Sequence, residues 1–383
     1  MEKTGTLLIR NARLVTPTGV REGDCLVQDG RIVALGEVRS PGPVPELDAA
    51  GRYLAPGFLD LHVHGGAGAD FMDGDPAAAR AIARFHAQHG TTGLLATIVP
   101  GPLDRMRRAM AAVIGIPGIL GIHLEGPFLN PEKAGALDAG WLLPPGRDAF
   151  RRLAAGFEGQ IKVVTFAPEL PGALDLVAEI GAIGAVPSIG HTAATYEQAT
   201  AALVRGARHV THLGNAMAGL HHRAPGSVGA ALLSTASLEL IPDGIHLHPA
   251  FFRLAVEFLR GRGELHRLCL VTDATAAAGM PAGSYRLGDR EVRLERGEVH
   301  LADGTLAGSA LTLDQALRNA VGFAHLSPEG ALTLVTTNPA RVLGLDAELG
   351  SLAVGTRADL VLLDPELAVS ATVCDGEISP GRG

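Results

Sequence analysis

In the stretch APGFLDLHVHGG, residues 55–66, Asp60, His62 and His64 recur at every second position within a run of Leu and Val. An extended chain turns successive side chains to opposite faces. Two imidazoles and a carboxylate therefore share one face, and Leu59, Leu61 and Val63 share the other. Burying such a polar face is costly unless something binds it. Further along, apolar runs end again and again on the same chemistry: Glu125 in HLEGP, His191 in SIGHT, His212 in VTHLGN, His246 in DGIHLH and Asp273 in LVTDAT. Imidazole nitrogen and carboxylate oxygen form the ligand set expected for Zn²⁺ or Fe²⁺. A divalent cation with an open position lowers the pKa of water and polarises a carbonyl, which makes hydrolysis accessible at neutral pH. Asp273, last in chain order, is placed to take the proton from water and return it to a leaving amine. An isolated HxH is weak evidence, since a lone buried histidine is more often a satisfied core group. The repetition of ligand-type residues at the ends of successive apolar runs is what carries the metal reading.

The elements around these residues have a regular rhythm. Short apolar runs alternate with Ala-rich helical stretches: TGLLATIVP then LDRMRRAMAAVI, IKVVTFAPE then ALDLVAEIGAIG, AVPSIGHT then TYEQATAALVRGA. With FLDLHVHGG counted, about eight strand–helix units predict an α/β fold, a (β/α)₈ barrel, whose catalytic groups sit at the C-terminal ends of the strands. The flanks differ. TLLIRNARLVTP and DCLVQDGRIVALGEV near the start, and LGSLAVGTRADLVLLDPE near the end, read as short strands, with QDGR a hairpin signal. Each flank is too short to bury a core alone. Residues 1–54 and 343–383 are therefore expected to pack together as one small β-sandwich domain beside a barrel spanning 55–342. His123 and His209, one position or more before their strand-end neighbours, read as core or supporting groups. His86, His89, His266, His300 and His325 read as surface residues.

Composition narrows the function classes. The chain of 383 residues is 47% hydrophobic and 19% charged, as expected of a folded enzyme. Its net charge of −8 argues against a nucleic-acid or anionic-membrane surface. Cys25, Cys269 and Cys374 are far apart, with neither a disulfide framework nor a zinc ribbon implied. The first residues lack a basic head followed by an apolar stretch, and no 18-residue apolar run occurs, so a cytoplasmic chain is expected.

The longer motifs resemble a known family. The HxH at the first barrel strand, the later strand-end histidines and the final Asp are similar to the amidohydrolase superfamily. Within it, HLEGPFLNPEKAGA, IGHTAATYEQA, THLGNAMAGLHHRAPG, IPDGIHLHP, VTDATAAAGM and GTLAGSALTLDQALRN resemble the N-acetylglucosamine-6-phosphate deacetylases, over essentially the whole chain. The resemblance implies Glu125, His191 and His212 as core metal ligands, His62 and His64 as ligands of a second metal, and Asp273, near both, as catalytic acid/base and a further metal ligand. It implies His246 as the group that polarises the acetyl carbonyl. Asn215 and Ala216 would contact the sugar phosphate, Arg223 would bind the phosphate, reaching in from a neighbouring subunit, and Ala136 and Leu306, Ala307 and Gly308 would line substrate loops. A homodimer or larger homo-oligomer follows from that use of Arg223.

Two observations qualify the resemblance. Only Lys162 lies on a barrel strand among the three lysines, and it opens that strand, so the branch that bridges two metals with a carboxylated lysine is disfavoured and Glu125 is the better bridge. The chain also carries Leu137, Gly214 and Ala224 where the family has His, an aromatic and an acidic residue. These departures fall in substrate loops. They leave open an N-acetylgalactosamine 6-phosphate or other N-acetyl sugar phosphate as the preferred substrate. A non-catalytic barrel scaffold is the reading from a different class, and retention of every candidate ligand speaks against it. Asp60 is assigned to orienting a ligand histidine.

Overall fold

The structure is a computed structural model describing residues 5–40, 42–374 and 377–381. Strands Thr6–Thr16 and Gly19–Gln28 form a hairpin, and Gly19–Gln28 pairs antiparallel with Arg31–Gly36 across the QDGR turn. Asp29 and Gly30 in that turn have φ of 50° and 73°, the left-handed pair a two-residue hairpin turn requires. The far end of the chain returns as Leu360–Leu363, Val369–Cys374 and Glu377–Pro380, and Leu360–Leu363 pairs antiparallel with Tyr53–Pro56. The two termini thus share one eight-stranded sheet. Its own core includes Ile9, Leu14, Ile32, Leu54, Leu360 and Val373, drawn from both flanks.

The second eight-stranded sheet is all parallel and runs in chain order: Phe58–Val63, Thr91–Ile98, Ile119–Glu125, Ile161–Phe166, Val186–Ile189, His209–Val210, Ser237–Leu240 and Leu268–Leu270. Val63 bridges Ala274 in parallel, and the Asp273 N–H donates to the His62 carbonyl at 2.9 Å, so the first strand meets the end of the eighth and the barrel closes. Helices between strands are capped by sequence. Asp75 accepts the Ala77 N–H at the start of Pro76–Ala87, and Thr195 and Gln198 form a capping box at Tyr196–Val204. The two sheets meet at Gly57. A Cβ there would lie 2.1 Å from Thr92 Oγ1, so only glycine allows the approach. A three-stranded meander, Gly283–Leu287, Arg290–Glu295 and Glu298–His300, follows the last barrel strand.

One assignment from sequence is corrected here. His86 is fully buried rather than superficial, with its Nε2 2.9 Å from the Gly65 carbonyl, and burial pushes its pKa down to about 4. It faces the barrel from helix Pro76–Ala87 and holds the turn that follows His64. No helix among the described residues is long and apolar enough to cross a membrane.

Candidate active site

The candidate residues converge at the C-terminal mouth of the barrel because the strands end on them. Glu125 closes the third strand, His191 lies two residues past the fifth, His212 two past the sixth and Asp273 three past the eighth. His191, His212 and Asp273 have φ of 47°, 28° and 52°. These are left-handed conformations that non-glycine residues rarely adopt and that cluster at functional sites. At each, the chain turns sharply at the barrel rim.

The side chains form two buried triads around one carboxylate. Glu125 Oε1 is 2.9 Å from His191 Nε2 and 3.1 Å from His212 Nε2. Its Oε2 is 3.4 Å from His64 Nε2, and Oε1 is 3.4 Å from His62 Nε2. Both His62–His64–Glu125 and Glu125–His191–His212 have ligand atoms close enough to hold a metal ion. Asp273 Oδ1 adjoins the first triad, 2.9 Å from His64 Nε2 and 3.5 Å from His62 Nε2. Glu125 is thus the residue that both triads share.

The donor set fits a cation. His191 Nδ1 lies 2.7 Å from the Lys133 carbonyl, which can only accept, so a ring hydrogen is there and Nε2 is the nitrogen left to present a lone pair to a cation. Nitrogen pairs also face each other, His62 and His64 at 3.2 Å and His191 and His212 at 3.1 Å. Acceptors gathered this tightly need positive charge between them, supplied by added protons or by a metal. The protein alone answers with protons. Burial opposes a charge on His62, but Asp273 and Glu125 raise its pKa well above the usual value. Burial would raise Asp273, yet His62 and His64 hold it down to about 2, and Glu125 is likewise held well below the carboxylate range by its histidines. Both carboxylates are ionised at neutral pH.

The support of these rings differs from expectation. Asp60 is fully buried and in phase with His62, but its carboxylate accepts the His62 backbone N–H at 3.2 Å and the Thr272 hydroxyl at 2.7 Å. It ties the first strand to the segment that follows the eighth, and its hydrogen bonds reach the His62 backbone and Thr272 rather than an imidazole ring. Burial is the main cause of its pKa rising to about 7, against the opposing Thr272 hydrogen bonds. The carboxylate on the His62 ring is Glu239, in the seventh strand, 3.2 Å from Nδ1. Asp243 likewise escapes the sequence reading. Its Oδ2 lies 2.6 Å from His246 Nδ1 and its Oδ1 accepts the His246 N–H. Burial would lower the His246 pKa, but the Asp243 carboxylate raises it, which favours a ring that donates.

A cavity of about 270 Å³ opens over these groups. His64, Glu125, His191, His212, His246 and Asp273 line its floor and wall. Ala136, Asn215, Ala216, Leu306 and Gly308 also line it, with Leu137 and Leu287 as apolar walls. Ala307 is buried behind its neighbours, donating its N–H to Val299, and does not line the cavity. Arg223 is exposed, stands 2.8 Å from His222 Nε2 and does not reach the cavity of its own chain. His123 and His209 are buried supporting groups: His123 Nε2 lies 2.7 Å from Thr165 Oγ1, and His209 Nε2 2.8 Å from Glu239.

Comparison with known proteins places this arrangement. Residues 53–379 match the Amidohydrolase family, whose members are generally dependent on divalent metals. The chain is 39% identical to the N-acetylgalactosamine-6-phosphate deacetylase of Escherichia coli O157:H7, covering 98% of this chain and 99% of that one. It is 35% identical to the N-acetylglucosamine-6-phosphate deacetylase of Lysinibacillus sphaericus, covering 97% of each. Among solved structures, an aspartate-to-alanine mutant of the N-acetyl-D-glucosamine-6-phosphate deacetylase from Mycobacterium smegmatis, in complex with N-acetyl-D-glucosamine-6-phosphate, superposes with a TM-score of 0.90 at 35% identity over 98% of this chain and 99% of that one. The chain belongs to the amidohydrolase family, among its N-acetylglucosamine-6-phosphate deacetylases.

Proposed function

We propose that this enzyme hydrolyses the acetamido group of N-acetyl-D-glucosamine 6-phosphate to D-glucosamine 6-phosphate and acetate, in amino-sugar catabolism and cell-wall recycling. The observation that carries this reading is the sharing of Glu125 by two buried ligand triads, with Asp273 beside them at the cavity floor. Glu125, His191 and His212 would hold one divalent cation, Zn²⁺ or Fe²⁺, and His62 and His64 with Glu125 a second. Such a cation supplies Lewis acidity, making water acidic and a carbonyl electrophilic. Asp273, ionised, accepts the proton of the attacking water and delivers it to the departing amine nitrogen. His246, anchored to Asp243 through Nδ1 and lining the cavity, would donate from its other nitrogen to the oxyanion as it develops. Asn215 and the Ala216 backbone would position the sugar phosphate, under a cover formed by Leu306 and Gly308.

Arg223 completes the site from a second subunit in this reading, which requires at least a homodimer. Its guanidinium matches a phosphate in charge and in the fork of its donors. Arg223→Ala is expected to raise KM for the phosphorylated sugar about tenfold to a hundredfold, the equivalent of about 1.5–3 kcal/mol for a charged hydrogen bond, with kcat little changed. Steady-state kinetics with and without the 6-phosphate check this, and unchanged phosphate preference would remove Arg223 from the site.

The 39% identity to an N-acetylgalactosamine-6-phosphate deacetylase, together with Leu137 and Gly214 in the substrate loops, supports that epimer as the second reading. Acetate release by purified protein, with metal content measured on the same sample, separates the two. The glucosamine epimer is expected to turn over fastest and unphosphorylated sugar slowest. A faster galactosamine epimer establishes the second reading, and absence of acetate release from every substrate by metal-replete protein rejects both. The reading places the enzyme in the cytoplasm.

A further inference from the structure

We infer that Glu239 is the positioning residue that fixes the ring orientation and tautomer of His62, braced by His209 and Ser237 from within the barrel. The inference rests on the cation site proposed above. Glu239 is fully buried in the seventh strand between Leu238 and Leu240, and a lone carboxylate there costs several kcal/mol unless its oxygens are satisfied. Both are. Oε2 lies 3.2 Å from His62 Nδ1 and accepts the His212 backbone N–H at 3.1 Å. Oε1 lies 2.8 Å from His209 Nε2, and His209 Nδ1 lies 2.6 Å from Ser237 Oγ.

An ionised carboxylate only accepts, so both rings donate to Glu239. A hydrogen of His62 then sits on Nδ1, so with a cation bound Nε2, beside Glu125 and Asp273, would be the nitrogen that turns its lone pair to the metal. The same carboxylate grips the His62 ring, in one triad, and the His212 backbone, in the other, so it sets the spacing between the two. Glutamine at 239 would offer one oxygen and one amide nitrogen. One of the two ring hydrogens would then face a donor, and the ring would have to turn or change tautomer.

Carboxylates behind a ligating histidine contribute about tenfold to a hundredfold in metal affinity. Glu239→Gln is therefore expected to weaken Zn²⁺ binding by about that factor, measured by competition with a chelator, while KM at saturating metal stays within about twofold. Zn²⁺ affinity within about twofold of wild type would overturn the inference. Long-range ¹H–¹⁵N spectra of the Zn²⁺-loaded wild-type chain give a second reading that needs no folded variant. His62 is expected with its hydrogen on Nδ1, and a hydrogen on Nε2 would overturn the inference. Wild-type protein that takes up no Zn²⁺ would instead overturn the cation site itself, and this inference with it.

Discussion

Asp273→Asn is expected to abolish turnover while leaving the metal in place. The amide keeps the size and one oxygen of the carboxylate, so the contact to His64 Nε2, 2.9 Å in the wild type, survives. The backbone of residue 273 also keeps its two bonds, donating to the His62 carbonyl and accepting from the Ser309 N–H. What disappears is the capacity to accept a proton from water and pass it to the amine. Loss of a general acid/base costs about 10²–10⁴ in rate. The expected result is a fall in kcat of that order, with KM and metal content close to wild type, read from single-turnover acetate release and elemental analysis of one preparation. A near-normal rate would remove Asp273 from the chemistry. Metal loss in proportion to activity loss would show that it acts as a ligand alone.

The barrel was legible because its strands alternate with helices and end on polar groups, and because both flanks carried short strands that needed each other. The strand-end rule delivered His62, His64, Glu125, His191, His212, His246 and Asp273 to one cavity or its floor. What it passed over is equally physical. Glu239 lies inside SLEL rather than at its end, so it reads as an interruption of an apolar run. Its anomaly is the same as that of LDLHV, a charged residue amid leucines on a strand buried on both faces, and that signal was available. Asp243 was visible too, in DGIH, where a carboxylate three residues before a histidine can accept from that residue's backbone and ring. Asp60 shows the limit of phase alone. It shares the face of His62, but Thr272, two residues past the eighth strand, reaches it first, a long-range contact that no local pattern contains. The left-handed backbone at His191, His212 and Asp273 was also invisible, since His and Asp, though enriched in that region, adopt it in only a small fraction of cases.

Glu125→Gln is expected to empty both cation positions at once, an effect no other single ligand would produce. Glu125 is the one residue common to the two triads, with Oε1 toward His191, His212 and His62 and Oε2 toward His64. Glutamine retains one neutral oxygen and turns an NH₂ group toward imidazole nitrogens that need to ligate. The charge lost is the one that compensates a divalent cation in a buried site. His64→Asn, in contrast, damages only the first triad and should leave one firmly held ion on Glu125, His191 and His212. Thermal unfolding with and without metal distinguishes these outcomes. A ligand that binds only the folded chain stabilises it by about 4 kcal/mol at a thousandfold excess over Kd, so wild-type protein should melt higher on addition of Zn²⁺. Glu125→Gln should show no such shift and no acetate release, and His64→Asn should keep a shift smaller than that of wild type. A Glu125→Gln protein that retains a full equivalent of metal would dismiss the shared carboxylate as the organising group of the site. An unchanged metal count in His64→Asn would reduce the HxH pair from a second cation position to a support for the first.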